Sequence, residues 1–181
     1  MSAAYFQPLQ LLELVQYHDE KKDLHRLQEV KSEMGLHQIP ISAAKSAMAI
    51  FAAELVSKLV KEGQSNSVLF DLVWTWAIQL DQQTSRFETN HIELIWQILE
   101  PMGIQPETGI EILRANPFST GGKDMESPEM NYWLEGKAPF PENLNGRQKQ
   151  WLLDQLLFYL QKHLEGAGNL NSVQVLREVF R

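Results

Sequence analysis

The feature that most constrains this chain is the apolar spacing between Ser42 and Gly63. Ala44, Ala47, Met48, Phe51, Leu55 and Leu59 recur at intervals that line one face of an α-helix. Ser42 can cap its start and Gly63 can end it. So continuous a stripe needs partners, because an isolated helix of this length is marginal in water. The sequence supplies them. Val68 to Leu80 is apolar on most faces, through Leu69, Phe70, Leu72, Val73, Trp74, Trp76, Ala77 and Ile78, and is expected at the centre of a bundle. Asn90 with Glu93 reads as a capping pair opening a third helix, which carries Ile92, Leu94, Ile95, Trp96, Ile98 and Leu99 until Pro101 and Gly103. Arg147 to His163 forms a long amphipathic helix around Trp151, Leu152, Leu156, Tyr159 and Leu160, broken by Gly166 and Gly168. Asn171 and Gln174 open a last helix that packs through Val175, Leu176 and Val179. The fold class is mainly α, a helical bundle.

Two regions depart from this pattern. Leu9 to Tyr17 is densely apolar and fits either a strand or a short helix. The polar stretch His18 to Asp23 and a second short element from Leu24 to Val30 favour a β-hairpin. Residues 103 to 145 collect most of the prolines, with Gly121-Gly122, and read as an irregular, mobile excursion holding one short helix begun by Ser127-Pro128.

Composition excludes several classes. With 181 residues a sizeable core can form, and zero cysteines remove disulfides, thiolate metal sites and cysteine nucleophiles. No apolar run approaches the roughly 20 residues that span a bilayer, and no leader pattern opens the chain, so the cytoplasm is the expected compartment. A net charge of −7 disfavours a nucleic-acid binder overall, but its distribution is uneven. Residues 63 to 135 hold 3 Lys/Arg against 11 Asp/Glu, whereas residues 136 to 181 hold 6 against 4.

The usual chemical signatures are missing. His18, His25, His37, His91 and His163 have no metal-ligand spacing, and surface or helix-end roles are expected for them. Ser119-Thr120-Gly121-Gly122-Lys123 lacks the strand and helix that frame a phosphate loop. Glu54, on a strongly apolar helix, reads as a hydrogen-bond acceptor for a neighbouring element or as a helix-edge residue, rather than a general acid. Among the tryptophans, Trp74, Trp76, Trp96 and Trp151 read as core, and Trp133, beside Tyr132, as an exposed aromatic.

Read as a string, Phe6-Gln7-Pro8-Leu9, Tyr17-His18 and Leu24 to Glu29 resemble the segment that closes the N-terminal OB-fold of RecO proteins. Ile39-Pro40-Ile41, Lys45-Ser46 and Phe51 to Val56 resemble that family's first long helix, and Leu69-Phe70-Asp71 its next. Tyr159 to Gly168, Leu170-Asn171-Ser172 and Val175 to Phe180 resemble its C-terminus, in a form closest to that of Bacteroidetes-like bacteria. The resemblance implies a non-enzymatic DNA repair and recombination mediator of the RecF pathway. Such a protein binds and anneals single- and double-stranded DNA and partners RecR and the single-strand-binding protein SSB, without cofactor or metal.

On this reading residues 1–35 are a remnant of OB-fold strands and linker. Residues 36–181 are the helical domain, with an irregular insertion at about 103–145, and DNA binding is weakened by the missing strands. The expected phosphate contacts are Lys21, Lys22, Arg26 and Lys31 near the start and Arg147, Lys149, Arg177 and Arg181 near the end. The unpaired edge of the hairpin invites a homodimer. Two other classes stay open: a standalone helical interaction module that never touches DNA, favoured by the charge of −7, and a small hydrolase using Glu54 or a histidine.

Overall fold

A computed structural model describes residues 6–17, 26–60, 65–119 and 125–180. Strand β1 (Leu11–Tyr17) pairs antiparallel with β2 (Arg26–Met34), so the hairpin reading holds, with its connection outside the described residues. Register irregularities between Leu11 and Leu12 and between Val15 and Gln16 interrupt the ladder as β-bulges do. Leu11 is buried, while Leu14, Val15, Tyr17 and Met34 remain exposed. The Gln10 amide donates to Ser32 Oγ at 2.9 Å and to the Met34 carbonyl at 3.0 Å, stitching the base of the hairpin.

Seven helices follow among the described residues: α1 (Ala43–Leu59), α2 (Ser67–Gln82), α3 (Asn90–Leu99), α4 (Gly109–Leu113), α5 (Pro128–Leu134), α6 (Gly146–His163) and α7 (Ser172–Val179). Ser42 caps α1 by accepting from the Lys45 N–H, and Ser127 caps α5 with Pro128 in its first turn, both as expected. A single cluster of buried apolar side chains runs from Leu36 to Leu176, with Phe51, Leu55, Leu80, Ile95, Ile98, Leu156 and Leu160 among those fully enclosed. Helix α1 packs on α7, and α3 on α6.

Four expectations are corrected. Helix α2 is not central: Val68 and Phe70 are exposed, 63% and 58%, and only one stripe, Leu69, Trp76, Ala77 and Leu80, enters the core. Its other apolar side chains, Phe70, Val73 and half-buried Trp74, border a groove of about 540 Å³ shared with Leu9, Leu11 and Val60. The capping residue of α3 is Thr89 rather than Asn90. Thr89 Oγ1 donates to the Glu93 carboxylate at 3.1 Å, and the Asn90 amide instead donates to Gln83 at 2.8 Å.

Residues 103–145 are not an excursion, because α4 and α5 bury Ile112, Leu113, Met130 and Leu134 in the common core. Polar contacts tie the segment to α6: Asn116 N–H donates to Gln155 at 2.8 Å, Tyr159 Oη donates to the Ile104 carbonyl at 3.0 Å, and Gln148 Nε2 donates to the Met125 carbonyl at 3.5 Å. Gly109 is required there, since a Cβ would stand 2.7 Å from Leu134 Cβ. Helix α7 packs through Ser172, Val173 and Leu176, whereas Val175 and Val179 face outwards.

The link from β2 to α1 is fixed by one buried carboxylate. Asp81, near the end of α2, accepts from the N–H groups of His37, Gln38 and Ile39 at 3.0, 2.7 and 2.8 Å. Consecutive amides converging on one anion form an anion nest. Lys45, itself buried, donates to the Asp81 backbone carbonyl at 2.9 Å and lies 5.3 Å from the Phe87 ring centroid. Burial raises the Asp81 pKa, but the three amides and the Lys45 charge outweigh it and hold the carboxyl below its ordinary value.

Candidate functional site

The positive charge of the C-terminal third converges where α6 begins and α7 ends. Asn145 and Gln148 form a capping box at the start of α6, and the first turn holds no acidic residue, so its positive end is not neutralised from within the helix. Two adjoining cavities open there, sharing Gly146, Gln150 and Phe180. Lys149 and Arg177 line the first, of about 350 Å³, together with His91. Arg147 lines the second, of about 840 Å³, with Trp151 and the 85% exposed Phe118. Arg177 also reaches across to pair with Asp154 of α6, and Glu88 stands on the wall of the first cavity. Lys149 further borders an acidic cleft lined by Glu88, Glu93 and Glu142.

His91 departs from the expected surface role. It is 4% exposed, stacked 5.4 Å from Phe180 at 20° and edge-on to Phe51 at 6.3 Å. Its Nδ1 is enclosed without a hydrogen-bond partner. Burial, reinforced by the Lys149 charge, lowers its pKa to about 4, so the ring is neutral at neutral pH. The sequence carried a signal for this, because His91, Leu94, Ile95 and Ile98 fall on one helical stripe.

Of the other expected phosphate contacts, Lys21, Lys22 and Arg181 lie outside the described residues, and Arg26 opens β2 opposite Tyr17. Lys31 sits on the hairpin, paired with Glu29 at 3.3 Å, and lines neither cavity. Thr120 to Lys123, and with them most of the glycine-rich stretch, also lie outside the described residues, as do His18 and His25. Trp133 is corrected: it is 6% exposed and packs against Phe140 and Trp96 at 4.9 and 5.6 Å, while its neighbour Tyr132 is the exposed ring.

Glu54 is the acceptor expected of it. Its carboxylate receives the N–H groups of Asn171 and Ser172 at 3.0 and 2.8 Å and the Ser172 hydroxyl. Desolvation raises its pKa, yet these bonds and the nearby Lys58 charge bring it below the ordinary value. A carboxylate so occupied is a structural clamp between α1 and α7. Glu93 is the opposite case: burial raises its pKa against the hydrogen bond from Thr89. Among the described residues no group of three or more His, Cys, Asp or Glu side chains is arranged to hold a metal. What the α6–α7 face offers is cations, an uncompensated helix start and a neutral imidazole, which suit the binding of anions.

Fold and site together define a mainly helical protein with a β-hairpin ahead of the bundle and a cationic face where two helices meet. Curated proteins match it along nearly its full length. It is 28% identical over 192 residues to the DNA repair protein RecO of Flavobacterium psychrophilum, covering 98% of this chain and 79% of that protein. The RecO proteins of Christiangramia forsetii and Azobacteroides pseudotrichonymphae are 27% and 26% identical, covering 98% and 99% of this chain and 80% and 81% of theirs. No family model matches the chain, and no solved structure matches it. The chain is similar to RecO proteins over nearly its whole length. No helix among the described residues is long and apolar enough to cross a membrane.

Proposed function

We propose that this chain acts in DNA repair as a RecO-type mediator and takes the DNA backbone on the α6–α7 face, with Arg147, Lys149 and Arg177 as phosphate contacts. The observation that carries this reading is the convergence of Arg147 and Lys149 of α6 with Arg177 of α7 on two adjoining cavities. The names of the relatives supply the repair role. The proposed mode is non-enzymatic: cations on this face hold strands in position. RecR and SSB are the protein partners and annealing within the RecF pathway the task, with the helical domain as the partner-binding part. No residue of this chain is assigned to either protein. The apolar side chains exposed on the hairpin support pairing of two copies along its edge, read by sedimentation across a concentration series.

The test is a salt titration of single-stranded and duplex DNA binding followed by fluorescence anisotropy. Affinity is expected to fall steeply with salt, and Lys149→Gln to lower the slope by about one unit. A second reading, a helical module that docks a protein segment and leaves DNA alone, is favoured by the charge of −7 and by the apolar groove beside α2. Salt-independent or undetectable DNA binding would give it first place.

A further inference from the structure

Phe118 is the most exposed large apolar side chain among the described residues. Its exposure is built into the backbone. Asn116-Pro117-Phe118-Ser119 is a tight turn, closed by the Ser119 N–H on the Asn116 carbonyl at 3.2 Å, with asparagine and proline at the positions such turns favour. The Asn116 side chain accepts from the Phe118 N–H at 3.0 Å, and the Asn116 N–H donates to the fully buried Gln155 of α6. The turn is thus pinned to the helix, and it holds an aromatic ring out in water. The ring borders the larger cavity beside Ser119, Gln150 and Arg147. Arg147 makes no ion pair among the described residues, whereas Asp154, the acid on that wall, is taken by Arg177. The groove beside α2 is different, because its ring side chains stand among further apolar ones. At Phe118 a single ring stands among polar groups.

We infer that Phe118 is a stacking platform for one unpaired nucleobase of a single strand, with Arg147 taking a neighbouring phosphate. The inference rests on the DNA-binding reading above and adds a contact that tells single strands from duplex. Chemistry decides the ligand class. An exposed aromatic ring offers its face to another flat ring, and every base has such a face. Inside a duplex both faces of a base are covered by its neighbours, so only an unstacked base can lie on Phe118. The Gln150 amide and the Ser119 hydroxyl supply donors and acceptors for a base edge, and both adapt to any of the four bases. The Arg147 guanidinium matches a phosphate. A nucleotide uses all three kinds of group. An apolar protein segment seated here would instead cover the amide, the hydroxyl and the guanidinium without partners, which is costly. An acidic peptide would answer Arg147 and leave the ring in water.

The experiment measures binding of the full chain to a fluorescent single strand, to the same sequence as a duplex and to an abasic strand of equal length, by anisotropy across a salt series. Phe118→Ala is expected to weaken single-strand binding about tenfold, the scale of one stacked base, and by the same factor at every salt concentration. Duplex and abasic strand should bind variant and parent alike. Phe118→Trp is expected to keep the parent affinity and Phe118→Leu to behave as Phe118→Ala does, which separates a stacked ring from a merely apolar contact. Arg147→Gln should instead lower the salt slope by about one unit. A thermal melt of each variant, expected to match the parent because the substituted side chains are exposed or half-buried, reports that the fold is kept. Unchanged single-strand binding by Phe118→Ala overturns the inference while leaving the DNA reading intact. Equal losses on single strand and duplex, or parent affinity in Phe118→Leu, make the ring a general contact and overturn stacking. An amphipathic helical peptide that binds the parent but not Phe118→Ala, while strands bind both alike, assigns the ring to a protein partner and overturns it too. Absence of any strand binding removes this inference and the DNA reading together.

Discussion

Two buried polar centres in this bundle differ in one respect, and the difference separates support from recognition. At the Asp81 centre every charge has a partner: three amides on the carboxylate, a carbonyl and an aromatic face on Lys45. At the His91 centre the ring nitrogen is unmatched and Lys149 lines an open recess beside it, with Arg177 on the same wall paired to Asp154. Saturated charge fixes the chain, and unsaturated charge is what a ligand can still use.

The comparison breaks first at Asp81. Asp81→Ala removes the acceptor of three N–H groups, leaves Lys45 without its counter-charge and is expected to cost about 3 to 5 kcal/mol in urea unfolding. Glu54→Ala should cost less, about 1.5 to 3 kcal/mol, because the Asn171 and Ser172 donors lie nearer to solvent. Both carboxyls are depressed in the fold. Their stabilisation is therefore present above the unfolded values of 3.8 and 4.5 and is lost as pH falls through the still lower folded ones.

His91 has the opposite sign of charge and an earlier onset. Between pH 6.5 and about 4 the unfolded state binds a proton that the folded state refuses, so stability drops across that interval on acidification and levels off below it. His91→Phe should flatten this interval in denaturation curves taken at successive pH values, while stability at pH 7 changes by no more than about 1 kcal/mol. Lys149→Gln sharpens the contrast from the other side. It should leave stability within about 0.5 kcal/mol of the parent, by the same unfolding assay, while weakening salt-dependent DNA binding.

The periodic helices were legible because burial writes itself into spacing. Phe51, Leu55 and Leu59 on α1 and Trp151, Leu152 and Leu156 on α6 are buried where their intervals put them. Helix α2 departs from expectation because an apolar stretch does not say which of its faces has a partner, and Val68 and Phe70 have none in the core. Residues 103–145 depart from expectation for the converse reason. Helices as short as α4 and α5 carry no measurable period, and they are held by distant acceptors such as Gln155 and donors such as Tyr159. Of the site, the cations Arg147, Lys149 and Arg177 could be picked from charge distribution. Their meeting with Phe180 and His91 depends on helix–helix packing that no local pattern encodes.

The Glu54 clamp joins residues 118 positions apart, and that separation has a kinetic consequence. Contacts between α1 and α7 close a loop of well over half the chain, a slow kind of contact to form. Until α7 has been synthesised, α1 keeps part of its apolar face uncovered and offers it to other chains. The interval between translation of α1 and docking of α7 is thus the period of greatest exposure to aggregation. Substitutions at Glu54 or Ser172 should lengthen it.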